Sequence, residues 1–269
     1  MTRVIVTGAA GQMGKRNIAM TCQAEGMTLA AAVERPDHPA LGQDAGEVAG
    51  CGRLGVPITG SLAAVLDQGD VVIDFTFHTA TMEHARLAAR AGRAMVIGTT
   101  GLSATDLVEL QELSSGFACV QSPNMAVGVN VLFKIAARMA GILGSGYDIE
   151  IVEAHHRRKK DAPSGTALKL GEVVAQALGR DLGEVGVFAR HGMIGQRTDQ
   201  EIGIQTVRAG DIVGEHTVLF AGPGERLELI HRAHSRDNFA RGAVLAAAWV
   251  NDRPHGLYTM FDVLGLADL

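Results

Sequence analysis

Apolar residues in the first half of the chain fall into short unbroken runs separated by stretches in which they recur every three or four positions. Residues 4–7, 29–33, 71–75, 94–97 and 118–120 are runs of the length and β-branched character of buried strands. Residues 13–24, 61–66, 79–91 and 103–114 carry the helical period, with Ser61 and Ser103 placed as N-caps. Residues 35–56, rich in Gly and Asp, read as a loop. This alternation predicts an α/β unit built on a doubly wound parallel sheet.

The pattern changes after Pro123. A long helix is expected at 129–143, a half-buried strand at 147–156 and a helix at 165–178. Alternating segments follow at 185–190, 202–207, 215–220 and 226–231, some divided by turns such as Gly222-Pro223-Gly224. They predict a second, α+β domain with a mixed, mostly antiparallel sheet and helices on one face. A last helix, 238–250, opens at Ser235 or Asp237 and needs a surface to pack on. The expected division is therefore a first domain of residues 1–125 completed by 237–269, with 126–236 inserted as the second.

Composition narrows the function classes. With 47% hydrophobic and 20% charged residues the chain can fill a core. A net charge of −5 and 4% aromatics argue against a nucleic-acid platform, since the basic run from Arg157 to Lys160 is local. Cys22, Cys51 and Cys119 are odd in number and scattered, as reduced thiols of a cytoplasmic protein are. No secretory leader is expected, because a strand pattern begins at Val4, and no apolar run approaches membrane-spanning length.

Gly8-Ala9-Ala10-Gly11-Gln12-Met13-Gly14 follows a strand and opens a helix. Such a loop lets a pyrophosphate approach the backbone and the unpaired N–H groups of the helix start. Glu34 ends the second strand, 20 residues after Gly14, where an acid would bind a ribose 2′-hydroxyl. Arg35 beside it suits a 2′-phosphate. A Rossmann-like dinucleotide site accepting both NADH and NADPH is the expectation. Gly98-Thr99-Thr100, Phe75-Thr76-Phe77 and Ser122-Pro123-Asn124-Met125 end later strands at the edge where such sheets bind ligands.

The second chemical feature is Glu153-Ala154-His155-His156-Arg157-Arg158-Lys159-Lys160-Asp161-Ala162-Pro163-Ser164-Gly165-Thr166. On a strand, Glu153 and His155 share one face and Ala154 and His156 the other, so the two histidines diverge. They are poorly placed to chelate one metal, no further ligands stand at zinc spacing, and no metal is expected. Ser164-Gly165-Thr166 opens a helix whose free N–H groups and hydroxyls suit a carboxylate, with a lysine close by in sequence. The plain alternative is a serine cap beside a solvated charged run.

The same fourteen residues, extended to Ala167, resemble the signature of the 4-hydroxy-tetrahydrodipicolinate (dihydrodipicolinate) reductase family. Similarity continues through the segment from Val6 to Gly14, Glu34-Arg35, Asp74-Phe75-Thr76, Gly98 to Gly101, Pro123-Asn124, Gly128 to Asn130, and Gly214 to Gly224. The resemblance implies a Rossmann-like domain, a mixed-sheet domain that builds a homotetramer, and an NADH- or NADPH-dependent step of diaminopimelate and lysine biosynthesis. It implies that His155 is the proton donor or acceptor and Lys159 a second proton donor. His156, Gly165 and Thr166 would bind a small dicarboxylate. Gly8, Ala9, Ala10, Gly11, Gln12, Met13, Glu34, Arg35, Gly98, Thr99, Thr100, Ser122, Pro123, Asn124 and Met125 would hold the cofactor. One departure stands after Asp-Phe-Thr, where the family often has a variable residue and then proline and this chain has Phe77 and His78.

The chemistry so implied is loss of the substrate hydroxyl to give a conjugated cyclic imine, hydride addition to that conjugated system, and protonation of the resulting enamine by a positioned acid. Two rivals share the fold: a reductase of a related imine or amino acid, and a dinucleotide sensor without catalysis. The intact His155, His156 and Lys159 set argues against the sensor.

Overall fold

The computed structural model describes residues 1–267 and 269. In chain order the elements are β1 (Thr2–Thr7), α1 (Gln12–Gln23), β2 (Met27–Val33), α2 (Ala45–Ala49), β3 (Ile58–Thr59), β4 (Val71–Asp74), α3 (His78–Ala91), β5 (Ala94–Ile97), α4 (Ala104–Leu113) and β6 (Ala118–Gln121). They continue as α5 (Val127–Leu143), β7 (Asp148–His155), α6 (Gly165–Ala177), α7 (Leu182–Val185), β8 (Gly186–Val187), β9 (Ile202–Arg208), β10 (Gly214–Gly222) and β11 (Glu225–Ala233). The chain closes with α8 (Asp237–Val250), β12 (Gly256–Tyr258) and α9 (Met260–Val263). It divides into two compact units, Met1–Val127 with Arg236–Ala267, and Gly128–Ser235.

The first unit is a seven-stranded parallel sheet in the order β12-β6-β5-β4-β1-β2-β3. Its inner strands are apolar because both faces are covered. Val4, Val6, Ile73 and Val96 pack with Ile18 of α1 and Ala243, Ala247 and Val250 of α8. Ile5, Val72, Met95 and Ile97 pack on the other face with Met82 and Ala85 of α3 and Leu110 of α4. Helix α8, late in the chain, therefore fills the core of the unit that the first residues begin.

The second unit carries a five-stranded sheet, β11-β10-β7-β9-β8. Two pairings are antiparallel and two parallel, so the sheet is mixed as expected, with antiparallel pairs making up half of it. Along β7 the buried face reads Ile149, Ile151, Glu153. The period of two that began apolar thus ends on a carboxylate, and α6 lies against β7 and β9 with Ala167, Leu170 and Val174 buried.

Several local expectations are corrected. Residues 61–66 form turns and a single 3-10 turn at Leu66–Gln68, because the stretch is too short to repay helix nucleation. Residues 185–190 hold only the two-residue β8, since α7, opened by the Asp181 cap, takes up Val185. The loop 35–56 contains α2, capped by Asp44 and ended by Gly50 at φ 77°. Helix α8 begins at Asp237, and Arg236, the residue before it, makes no side-chain cap hydrogen bond. Finally, α5 and the turn after it, Val127–Gly146, are 20 residues of mean hydropathy 1.5, long and apolar enough to cross a membrane by length and composition. Val129, Leu132, Phe133, Ala136 and Ala140 of this helix are buried at three- and four-residue spacing, the stripe of a core helix.

Candidate active site

The glycine loop lies at the C-terminal end of β1. Gly8 has φ 62°, a conformation that disfavours any side chain. A Cβ on Gly14 would sit 1.9 Å from the Gly8 carbonyl oxygen, so only glycine lets α1 start this close to the strand. Gly11 precedes α1 with no side-chain cap, leaving first-turn N–H groups open to an anion. The Glu34 carboxylate accepts from the N–H of Ala10 at 3.0 Å and of Arg35 at 3.0 Å. The acid expected at a ribose is thereby tied to the phosphate loop. Arg35 is exposed and pairs with Asp37 at 3.4 Å.

Gly8, Gly11, Glu34 and Arg35 line a cavity of about 650 Å³ with Thr76, Phe77 and His84, large enough for part of a dinucleotide. His78 is the first residue of α3, a helical position that tolerates proline. Phe77 remains exposed, its ring 4.2 Å from that of His78. Gln12 and Thr100 are exposed, and Ala10, Met13 and Gly98 half-buried. Pro123 is exposed and Asn124 half-buried, whereas Ser122 turns its hydroxyl onto the Asn124 carbonyl at 2.9 Å. Ala9 and Met125 are core side chains and Thr99 points inward, so these three offer a ligand only backbone atoms. The open helix start, the close glycine approach and the cavity fit a nicotinamide dinucleotide.

In the second unit the segment after β7 is organised by Glu153, which is fully buried. It accepts from both terminal nitrogens of Arg208 at 2.8 Å, from the Ser164 N–H at 2.9 Å and from Thr206 Oγ1 at 3.2 Å, and pairs with His155 Nδ1 at 2.6 Å. Burial alone would favour the neutral acid, but Arg208, His155 and the Ser164 N–H together hold the carboxyl down to about 2. His155 moves below its ordinary value, pushed by burial and only partly restored by Glu153. With Nδ1 held by a carboxylate, the ring nitrogen of His155 left available for proton exchange is Nε2. That atom faces Gly214, where a Cβ would come within 3.0 Å.

Lys159 pairs with Asp161 at 2.8 Å, and Arg208 Nη2 reaches the Asp161 carbonyl at 2.6 Å, so one arginine braces both the histidine and the lysine loop. Ser164 is buried rather than presented. Its hydroxyl accepts from the Ala167 N–H at 3.2 Å and meets His216 Nε2 at 3.1 Å. At this helix start Gly165 is open to space and Thr166 is half-buried. His156 is half-buried and lies just past the end of β7. The described residues contain no group of three or more His, Cys, Asp or Glu side chains able to hold a metal ion.

The sequence model described as "Dihydrodipicolinate reductase, N-terminus" matches residues 2–125, and that described as "Dihydrodipicolinate reductase, C-terminus" matches residues 128–264. The chain belongs to the dihydrodipicolinate reductase family. The 4-hydroxy-tetrahydrodipicolinate reductase of Desulfotalea psychrophila is 60% identical over 100% of both chains. That of Syntrophus aciditrophicus is 56% identical over 98% of this chain and 99% of its own. A solved dihydrodipicolinate reductase from Paenisporosarcina sp. TG-14, with dipicolinate bound, superposes with a TM-score of 0.75 at 26% identity, over 97% of this chain and 98% of that one.

Three residues of this family member's site were given no role from the sequence: Arg208 and Thr206, which carried no motif signal, and His216, which lies within the similar segment Gly214 to Gly224. They come from β9 and β10, more than forty positions after Glu153. Only the strand register brings them in, with Thr206 and His216 each paired opposite Glu153.

His216 supplies a test of this arrangement. Burial, then the nearby His155, pushes it down to about 3. The unfolded chain takes up this proton near about pH 6.5 and the folded chain does not, so stability should fall as pH drops from about 6.5 towards 3. Glu153 and Asp74, each held down to about 2, lose their contributions only at lower pH. Urea midpoints at about pH 7.5 and about pH 4.5 should differ less for His216→Asn than for the wild type. Equal losses in the two proteins would remove His216 from the account.

Proposed function

We propose that the protein reduces 4-hydroxy-tetrahydrodipicolinate, by way of dihydrodipicolinate, to tetrahydrodipicolinate in diaminopimelate and lysine synthesis, using NADH or NADPH. The observation that carries this reading is the intact His155–Glu153 pair beside the Gly165-Thr166 helix start in a chain of this family. The first unit, with Gly8 to Met13, Glu34, Arg35, Gly98 to Thr100 and Ser122 to Met125, is the dinucleotide domain. The inserted second unit binds substrate and builds a homotetramer in the cytoplasm. Its edge strand β11, with Leu227 and Ile230 outward, and the exposed Ile135 and Ile142 of α5 supply apolar surface for subunit contacts.

When bound, the nicotinamide supplies the hydride. The residues of this chain bind and orient the substrate and manage one proton. Gly165 and Thr166 take a carboxylate at the start of α6, and His156 assists. Glu153 fixes the ring of His155, so that Nε2 is the atom that gives or takes the proton. A bound dicarboxylate adds negative charge beside an imidazole that burial keeps neutral, raising its proton affinity as the substrate arrives. Lys159, braced by Asp161, is the second proton-donating group.

The decisive assay follows NADPH oxidation with substrate made in situ from pyruvate and aspartate semialdehyde. Turnover only with related imines or amino ketones would favour the second reading, a reductase of another acid. In that assay Lys159→Ala should lower kcat by about a hundredfold or more, and wild-type turnover would remove its role. Thr166→Val should raise the substrate KM by roughly tenfold at little change in kcat, whereas an unchanged KM would leave this helix start as a plain cap. The kcat/KM values for NADH and NADPH should lie within about a hundredfold of each other, since Glu34 and Arg35 serve different ribose substituents.

A further inference from the structure

Asp74 ends β4 and is fully buried, yet the proposed chemistry uses no part of it. Its Oδ1 accepts from Thr76 N at 3.1 Å, Thr76 Oγ1 at 2.9 Å, Thr81 Oγ1 at 2.8 Å and Thr99 Oγ1 at 2.9 Å. Its Oδ2 accepts from Thr7 Oγ1 at 2.8 Å and pairs with His84 Nδ1 at 2.6 Å. The hydroxyls of Thr81 and Thr99 lie a further 2.9 Å apart. Thr7 is the residue before Gly8, Thr76 follows β4 and Thr99 follows Gly98. One carboxylate therefore joins the C-terminal ends of β1, β4 and β5, neighbours in the sheet, and the first turns of α3.

A purely structural role explains this poorly. Strand ends can be packed by apolar side chains, and a buried carboxylate costs several kcal/mol before its partners offset it. Here every partner sits at a strand end or loop on the ligand edge of the sheet or on the helix beside it, and two of them, Thr76 and His84, line the 650 Å³ cavity. We infer that Asp74 is a positioning residue for the dinucleotide, fixing the glycine loop, the Phe75-Thr76-Phe77 turn and the Gly98-Thr99-Thr100 loop in one geometry. The inference rests on the reading of this unit as the dinucleotide domain.

The arrangement predicts which replacement is tolerated. An asparagine keeps the shape, and its Oδ1 can accept from the same threonines. Its amide can donate to His84 Nδ1 in the other tautomer, and to a Thr7 hydroxyl turned to the Ile73 carbonyl, 3.3 Å away. Alanine leaves the strand ends unjoined.

The full-length protein and its Asp74→Ala, Asp74→Asn and Thr81→Val variants would be titrated with NADPH and NADH by fluorescence, with the imine KM measured alongside. Asp74→Ala should raise the dinucleotide Kd about tenfold or more, the scale of lost hydrogen bonds to a charged group. The imine KM should stay within about twofold, and Asp74→Asn should bind dinucleotide within about threefold of wild type. Thr81 lines no part of the cavity, and Thr81→Val should weaken dinucleotide binding by about threefold or more. An unchanged dinucleotide Kd in Asp74→Ala overturns the inference, as does an imine KM that rises in step or an asparagine variant no better than alanine. If the alanine variant does not fold, an unchanged Kd in Thr81→Val overturns it. No dinucleotide binding by the wild type would overturn the reading of the unit and this inference with it. Wild-type binding beside an unaffected Asp74→Ala overturns the inference alone.

Discussion

A carboxylate cut off from water must find all its partners within the chain, and Glu153 sets this demand at the centre of the second unit. Removing such a charge from solvent costs several kcal/mol, and breaking its pairing once buried is strongly destabilising. Arg208 answers with a bidentate pair, Thr206 and Ser164 with one donor each, and His155 with its ring. Because these partners lie on β7, β9 and the start of α6, satisfying the charge fixes three elements at once. The ring of His155, held at Nδ1, is oriented as a by-product of that satisfaction.

The first unit meets an equivalent constraint with different materials. Glycine, rather than charge, governs how closely α1 approaches β1, since Gly14 has backbone where a Cβ would stand. Gly98 does the same for the Phe75 ring, whose nearest atom would lie 2.2 Å from an added Cβ. Asp74 then ties the strand ends that these glycines bring near one another. In each unit a buried carboxylate sits behind a surface of exposed backbone N–H groups, and the surface takes its shape from what lies beneath it.

Five of the seven strands of the first unit were legible because burial on both faces leaves an unbroken apolar run; β3 and β12, two and three residues long at the margins of the sheet, were not. The glycine loop, Glu34 and the His155–Thr166 segment were legible because their chemistry is local in sequence. Arg208, His216 and His84 were not, since each becomes meaningful only through register or a helix packed against a strand end. Ser164 shows the limit from the other side. A serine before a helix signals a cap, but only the fold shows that its hydroxyl is used inward by Ala167 and His216. Residues 185–190 failed for a related reason. Arg190 belongs to an ion-pair cluster with Glu150 and Glu201 rather than to a strand, and that cluster depends on residues forty positions away.

The first unit is closed by α8, which reaches it only after Gly128–Ser235 have been spelled out. On a ribosome, the strands from β1 to β6 emerge well before Ala243, Ala247 and Val250 exist to cover one of their faces. That face stays apolar and uncovered while the inserted unit is made, and β6 waits at the sheet margin for β12. Completion of the dinucleotide unit is thus timed by the synthesis of the other one. A chain stalled or cut within α8 would carry a finished second unit beside a first one with an open core.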